Sequence, residues 1–168
     1  MDMDTKNYTP PFSIPEQTLE EWQSIVNIMA TLVGVPAGLI MRVVEPDIEV
    51  FASSETAGNP YSRGDKEKWF GSGLYCETVI RREEQLIVPN ALDDPEWDKN
   101  PDIKLNMISY MGFPLRLPGG APFGTICVLD DKGNNYDPIY QELVKNFQRV
   151  IEGQLELLYA NHVLGEEN

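Results

Sequence analysis

The stretch MISYMGFPLRLPGGAPFGTICVLD, residues 107–130, decides the fold. Residues 107–117 and 123–129 predict two strands, and the Pro-Gly-Gly segment between them predicts a tight turn. Half-exposed antiparallel strands alternate apolar and polar residues, whereas both of these strands are apolar on both faces. The sheet is therefore expected to be covered on both sides, in an α+β fold with α/β/α layers.

The upstream sequence supplies further elements of the same sheet. Residues 37–44 and 48–52 read as two strands joined by a turn at Glu45-Pro46-Asp47. Residues 74–82 read as a short helix and residues 86–88 as a short strand. These elements predict a central antiparallel sheet of five to six strands. An irregular acidic segment follows at residues 91–106.

A helix at each end completes the predicted domain. Residues 16–33 and about 138–163 carry apolar side chains at spacings of three and four, which is typical of packed or paired helices. The second helix is expected to be about 40 Å long, whereas a domain of this size is about 30 Å across. Part of it must extend beyond the domain or pack on a partner. If a second copy of the chain is that partner, the stripes expected to form the dimer interface are Leu19, Trp22, Val26 and Met29 in the first helix, and Phe147, Ile151, Leu155 and Leu158 in the second.

The predicted domain spans residues 13–164. Residues 1–12 are polar and Pro-rich and are expected to form a flexible leader. Residues 165–168 are expected to be a tail, at a point where a longer protein is cut.

Charge and composition exclude several classes of function. The 168 residues carry a net charge of −14 without a basic cluster, so binding to nucleic acid is not expected. No apolar run reaches the ~20 residues of a membrane helix, so membrane insertion is not expected either. The two cysteines, Cys76 and Cys127, are interpreted as reduced, buried thiols of a cytoplasmic protein, with a redox pair as the alternative.

Four segments in this order resemble the GAF domain family, which is related to the PAS fold. They are GLYCETV at residues 73–79, LIVPNA followed by Asp94-Pro95, ISYMGFPL at 108–115, and FGTICVLD at 123–130. The resemblance implies a sensory input module, of the kind found in histidine kinases of two-component systems, diguanylate cyclases, phosphodiesterases or transcriptional activators. It further implies a homodimer that signals through its terminal helices to an output domain elsewhere in the parent chain, and not an enzyme.

The resemblance also implies a pocket for an unidentified small molecule, between the sheet and the helix and loops opposite the terminal helices. Aromatic rings would supply flat surfaces, and hydroxyl groups would supply hydrogen bonds. The candidate pocket residues are Trp69, Tyr75, Cys76, Thr78, Val79, Trp97, Ser109, Tyr110 and Cys127.

Other functions were weighed against this one. A cyclic-nucleotide site is disfavoured because residues 131–137 match the signature of the cyclic-nucleotide branch only loosely. A bilin attachment site is disfavoured because it would require a cysteine followed by histidine, whereas Cys76 is followed by Glu77. No metal site is expected, and no cofactor is assigned. A ligand-free dimerisation or spacer module is the main alternative. A GAF-type free methionine sulfoxide reductase is the second, although the other cysteines of that branch are missing.

Overall fold

The computed structural model describes Pro10 and residues 12–167. The helices are α1 (Glu16–Val33), α2 (Tyr75–Arg82) and α3 (Pro138–Glu167), and two short 3-10 helices lie at Ala91–Asp93 and Pro101–Leu105. The strands are β1 (Ala37–Val44), β2 (Asp47–Ser53), β3 (Lys66–Lys68), β4 (Leu86–Val88), β5 (Ser109–Arg116) and β6 (Pro122–Asp130).

The six strands form one antiparallel sheet in the order β3-β2-β1-β6-β5-β4. This arrangement confirms the predicted α+β fold and its central antiparallel sheet. The short strand β3 was not predicted. Its residues, Lys-Glu-Lys, are all exposed and charged, so they carry no apolar alternation from which an edge strand could be recognised.

The two faces of the sheet bury separate cores, as expected for a covered sheet. On one face, Trp22 of α1 packs edge to face against Phe51 and Phe123, with ring centroids 5.9 and 5.8 Å away. On the other face, Tyr75 and Val79 of α2 pack in one core with Tyr110 of β5 and with side chains of the adjoining loops. Successive strand residues point to opposite faces, so Tyr110 belongs to the second core and Met111 to the first.

Gly124 allows the central strands to approach each other. A Cβ atom at this position would lie 1.8 Å from the carbonyl oxygen of Met41 in the neighbouring strand β1. Gly124 is paired with Arg42 in the ladder, so a larger residue would push the two strands apart.

The terminal helices pack together on the first core. The indole N–H of Trp22 donates to Oε1 of Gln154 at 2.6 Å, and Nε2 of Gln154 donates to Glu21 at 2.6 Å. Helix α1 matches the predicted range and ends at Gly34, whose φ of +79° suits a glycine. Helix α3 continues to Glu167, past Gly165, where a tail was expected. Of the predicted leader, residues 1–9 and 11 lie outside the described residues, while the Phe12 ring contacts Tyr159.

Burial corrects the residues assigned to a dimer interface. Five of the eight predicted side chains are fully buried within the chain and are therefore unavailable to a partner: Trp22, Val26, Met29, Ile151 and Leu155. Leu19, Phe147 and Leu158 are partly buried. The sequence periodicity located the apolar face of each helix, but that face packs on the sheet. A different row of α3 is exposed and apolar, namely Ile139, Val150, Leu157 and Leu164.

No helix in the described part of the chain is both long enough and apolar enough to cross a bilayer.

Candidate ligand site

A cavity of about 410 Å³ lies between the second face of the sheet and the elements that cover it. Its floor comes from β1, β2, β5 and β6, one wall from the start of α2, and the opposite walls from residues 60–67 and the 3-10 helix Pro101–Leu105. The apolar part of its lining consists mainly of Leu39, Met41, Ile48, Val50, Leu74 and Leu129. The volume lies within the usual range of small-molecule sites.

Two thiols meet in the wall of this cavity. Cys76, on α2, and Cys127, on β6, both line it, and both are free and buried. The Cys76 sulfur lies 3.4 Å from the Tyr110 hydroxyl and accepts a hydrogen bond of 3.3 Å from the Thr125 hydroxyl. A hydrogen bond from the Cys127 thiol lowers the pKa of Cys76, assisted by Thr125 and opposed by burial. Burial raises the pKa of Cys127, so Cys76 is the more acidic thiol of the pair.

A buried carboxyl group faces the same cavity. Asp102, in the 3-10 helix Pro101–Leu105, is only 8% exposed, and its Oδ1 accepts a 2.7 Å hydrogen bond from the Tyr61 phenol. The backbone N–H of Tyr75, in the first turn of α2, also donates to this carboxylate. Burial raises the pKa of Asp102 to about 6, and these two hydrogen bonds oppose the rise. Asp102 thus connects three elements of the wall.

The aromatic residues of this face mostly fill space. Tyr75 stacks on Tyr110 with ring centroids 4.7 Å apart, and the Trp97 ring lies 5.4 Å from Tyr75 on the other side. The Tyr75 hydroxyl donates to the carbonyl oxygen of Met107 at 3.1 Å. The rings are in contact, so the space between them is closed, and the open cavity lies beyond Tyr110, toward Cys76 and Asp102.

The structure brings three of the nine candidate pocket residues into the lining: Cys76, Tyr110 and Cys127. The other six lie outside it. Tyr75, Val79 and Trp97 pack in the core beneath α2. Trp69 packs there too, and its indole N–H donates to Glu45 at 2.9 Å. Thr78 is partly buried on α2.

Ser109 lies on the opposite face of the sheet, for a simple geometric reason. It precedes Tyr110 in β5, so its side chain points the other way. Its hydroxyl donates to the carbonyl oxygen of Lys132 at 2.9 Å and lies 3.0 Å from the Tyr136 hydroxyl, in the core under α1 and α3.

Sequence reasoning missed the polar residues that characterise the cavity. Tyr61 belongs to a loop of turn-forming residues, and Asp102 belongs to an acidic segment that was interpreted as irregular. No periodicity marks either residue. The one local signal is Asn100-Pro101-Asp102, a cap followed by a first-position proline, in which the Asn100 side chain accepts from the Asp102 N–H at 2.9 Å.

In the described residues, no group of three or more His, Cys, Asp and Glu side chains is arranged to hold a metal ion.

Comparison with solved structures shows the fold. The GAF domain of an Acinetobacter phosphoenolpyruvate-protein phosphotransferase has a TM-score of 0.64 and 19% identity, covering 88% of this chain and 85% of that one. The PixJ GAF domain from Thermosynechococcus elongatus, in its blue-light absorbing form, has a TM-score of 0.65 and 13% identity, and the match covers 92% of this chain and 95% of that one. A type II free methionine-R-sulfoxide reductase from Thermoplasma acidophilum has a TM-score of 0.66 and 10% identity, and the match covers 85% of this chain and 95% of that one.

No curated protein matches the sequence. A family model described as GAF domain matches residues 20–151, from the second turn of α1 to the middle of α3. The match includes every strand of the sheet and every wall of the cavity, and this chain therefore belongs to the GAF domain family.

Proposed function

We propose that this GAF domain is a sensory module that binds a small molecule in its cavity and passes the signal through α1 and α3 to an output domain of the parent chain. The observation that carries the proposal is the cavity itself. It is apolar, of metabolite size, and furnished with a few polar groups at fixed positions, which is the usual composition of a ligand site.

A physical connection between cavity and helix supports the signalling half of the proposal. Strand β5 carries Tyr110 in the cavity wall and is also held by α3. Glu152 of α3 accepts from the backbone N–H of Arg116 at 2.7 Å, and Gln148 of α3 donates to the carbonyl oxygen of Pro114 at 2.6 Å. A ligand that shifts β5 would thereby change the position of α3.

The same proposal includes a homodimer in which the exposed row of α3 faces a second copy. Val150, Leu157 and Leu164 recur at intervals of seven, with Gly153 and Ala160 between them. That is the spacing of a paired helix seam, with small residues that allow close approach.

The proposal also includes a cytoplasmic location, which fits two buried cysteines that remain free.

A thermal-shift screen tests the proposal against the spacer alternative. The panel includes amines, neutral molecules, carboxylates and phosphates. Each compound is measured with the unsubstituted full chain and with the Leu74→Trp variant, in which the larger side chain obstructs the cavity. A ligand at 100 times its Kd stabilises the folded state by about 2.7 kcal/mol, so a hit is expected to raise the melting temperature of the unsubstituted chain only. A panel without any hit, or hits that persist in Leu74→Trp, would favour the spacer.

The meeting of the two thiols supports one further candidate, a thiol-dependent methionine sulfoxide reductase. In that reaction Cys76 and Cys127 would lose two hydrogens and form a disulfide, while the sulfoxide gains two electrons and two protons and leaves as thioether and water. The test is a count of alkylatable thiols after incubation with free methionine sulfoxide. A fall from two thiols to none would support the reductase, and an unchanged count would remove it.

A further inference from the structure

The charged groups of the cavity are unevenly distributed between its interior and its mouth. Asp102 is buried in the wall, whereas Asp65, Lys66, Glu67 and Lys104 are exposed around the opening. Lys66 already has a partner, since its Nζ lies 3.7 Å from Glu49. The charge that a bound molecule would meet inside is therefore negative.

Asp102 has hydrogen-bond donors but no counter-ion among the residues that the structure describes. Its donors are the Tyr61 phenol and the Tyr75 backbone N–H, both of which are neutral. None of the ion pairs found in the described residues includes Asp102. A buried carboxylate without a counter-ion is unfavourable, and the raised pKa of Asp102 is consistent with that cost. A cation placed in the cavity would relieve it.

The remaining lining limits what such a cation can be. Apart from Tyr110 and Cys127, the floor of the cavity is made of aliphatic and thioether side chains, which favour an apolar body over a second charged group. Anionic ligands would meet Asp102 without any buried cation among the described lining residues to offset it.

We propose that the cavity selects molecules that carry one protonated amine on a compact apolar body, with Asp102 as the anchoring anion and Tyr61 holding its carboxylate in place. This assignment rests on the proposed ligand-binding function and specifies the chemical class of its ligand. The ammonium group would donate to the Asp102 carboxylate in a charge-assisted hydrogen bond, the strongest class of hydrogen bond found in proteins.

Three probes that differ in one group test the assignment on the full chain: 2-phenylethylamine as the cation, 2-phenylethanol as the neutral form, and phenylacetate as the anion. Dissociation constants are measured by titration calorimetry or by chemical shifts of the methyl groups that line the cavity. We expect the amine to bind at least about tenfold more tightly than the alcohol, and phenylacetate to bind least.

Asp102→Asn removes the charge at nearly constant shape and should abolish the preference for the amine, leaving alcohol affinity within roughly twofold. Glu142→Gln, which removes an exposed carboxylate of α3 away from the cavity, is the matched control and should keep the preference. Tyr61→Phe removes the hydrogen bond that positions the carboxylate and should weaken the preference without abolishing it. Asp102→Ser, a second neutral replacement, should also abolish the preference, which covers the case in which Asp102→Asn fails to fold.

Several results would overturn the assignment: equal binding of amine and alcohol, tighter binding of phenylacetate, no binding of any of the three probes, or an amine preference that survives Asp102→Asn. These failures are distinguishable from failure of the sensory function. Hits among neutral or anionic molecules in the broad thermal-shift panel, without amine selectivity, would remove the amine assignment alone. A panel with no hit would remove both.

Discussion

The phenol of Tyr61 donates a 2.7 Å hydrogen bond to Oδ1 of Asp102, across 41 residues of sequence. This bond joins the loop beside β3 to the 3-10 helix Pro101–Leu105, the two segments that face each other across the mouth of the cavity. The pair therefore adds a side-chain anchor to the hydrogen bonds that already hold this loop to β2, which include those from the Ser53 hydroxyl to the carbonyl oxygen of Tyr61 and from the Gly64 N–H to the carbonyl oxygen of Val50. Burial and the neighbouring Asp102 carboxylate raise the pKa of Tyr61, so the phenol keeps its proton and remains a donor.

Tyr61→Phe should destabilise the domain measurably. The substitution keeps the ring but removes a donor from a buried carboxylate, for which we expect a loss of about 1–3 kcal/mol in the free energy of unfolding. Tyr159→Phe is the matched control, because Tyr159 is exposed on α3, and it should change the value by less than about 0.5 kcal/mol. Urea unfolding at pH 7 measures both. Equal effects of the two variants would contradict the anchoring role.

Asp102→Asn should change how stability depends on pH. The pKa of Asp102 is about 6 in the folded protein, above its ordinary value, so the folded state takes up this proton before the unfolded state does. The contribution of Asp102 to stability therefore increases as pH falls from 7 to 5 and is lost as pH rises through 6. As pH falls from 7 to 5, we expect the free energy of unfolding of the wild type to rise by about 1 kcal/mol relative to that of Asp102→Asn.

Unfolding curves of both proteins at pH 7, 6 and 5 provide this comparison. The difference between them isolates Asp102 from Asp130, whose pKa is also raised by burial. Parallel curves, with no relative gain for the wild type, would show that Asp102 does not titrate as described.

Gly124→Ala and Gly153→Ala should have opposite effects. A Cβ at Gly124 would collide with the carbonyl oxygen of Met41, so the variant should lose about 3 kcal/mol or more, or fail to fold. A Cβ at Gly153, within α3, meets nothing within 4 Å in the single chain, so at protein concentrations too low for pairing alanine there should stabilise by about 0.5–1 kcal/mol. Thermal unfolding of the two variants decides between these outcomes. A destabilised Gly153→Ala would indicate a contact that the single chain lacks.

Leu157→Glu should weaken the proposed homodimer. Leu157 is 66% exposed in the middle of the apolar row of α3, so a charge there costs little in the monomer and opposes pairing in the dimer. We expect at least about a tenfold weaker self-association by sedimentation. Leu92→Glu, at an exposed leucine outside the terminal helices, should leave association unchanged. A wild type that sediments as a monomer at high micromolar concentration would contradict the dimer.

The architecture could be predicted from the sequence because it depends on patterns of burial. The apolar character of residues 107–117 and 123–129 on both faces predicted a covered sheet, and the two strands β5 and β6 lie where that pattern occurs. The periodicity of α1 and α3 also identified their apolar faces correctly. It could not distinguish packing on the sheet from packing on a second copy, because both environments select the same side chains at the same spacing.

The cavity was less predictable because it depends on a few side chains that meet across the chain. Cys76 and Cys127 were identified as candidates, whereas the role of Asp102 depends on its burial and on its hydrogen bond with Tyr61, which no local motif marks. Conversely, Tyr75 and Trp97 are aromatic residues of the type expected in a ligand site, yet their rings fill the space themselves. Whether an aromatic side chain lines a cavity or closes it depends on distances that one sequence does not encode locally.

A crystal structure of the chain grown with the strongest thermal-shift ligand tests the central claim most directly. The account predicts electron density for the ligand inside the cavity, bordered by Cys76, Tyr110 and Cys127, with a donor group of the ligand within hydrogen-bond distance of the Asp102 carboxylate. Density for that ligand at another place on the surface, with the cavity unoccupied, would contradict it.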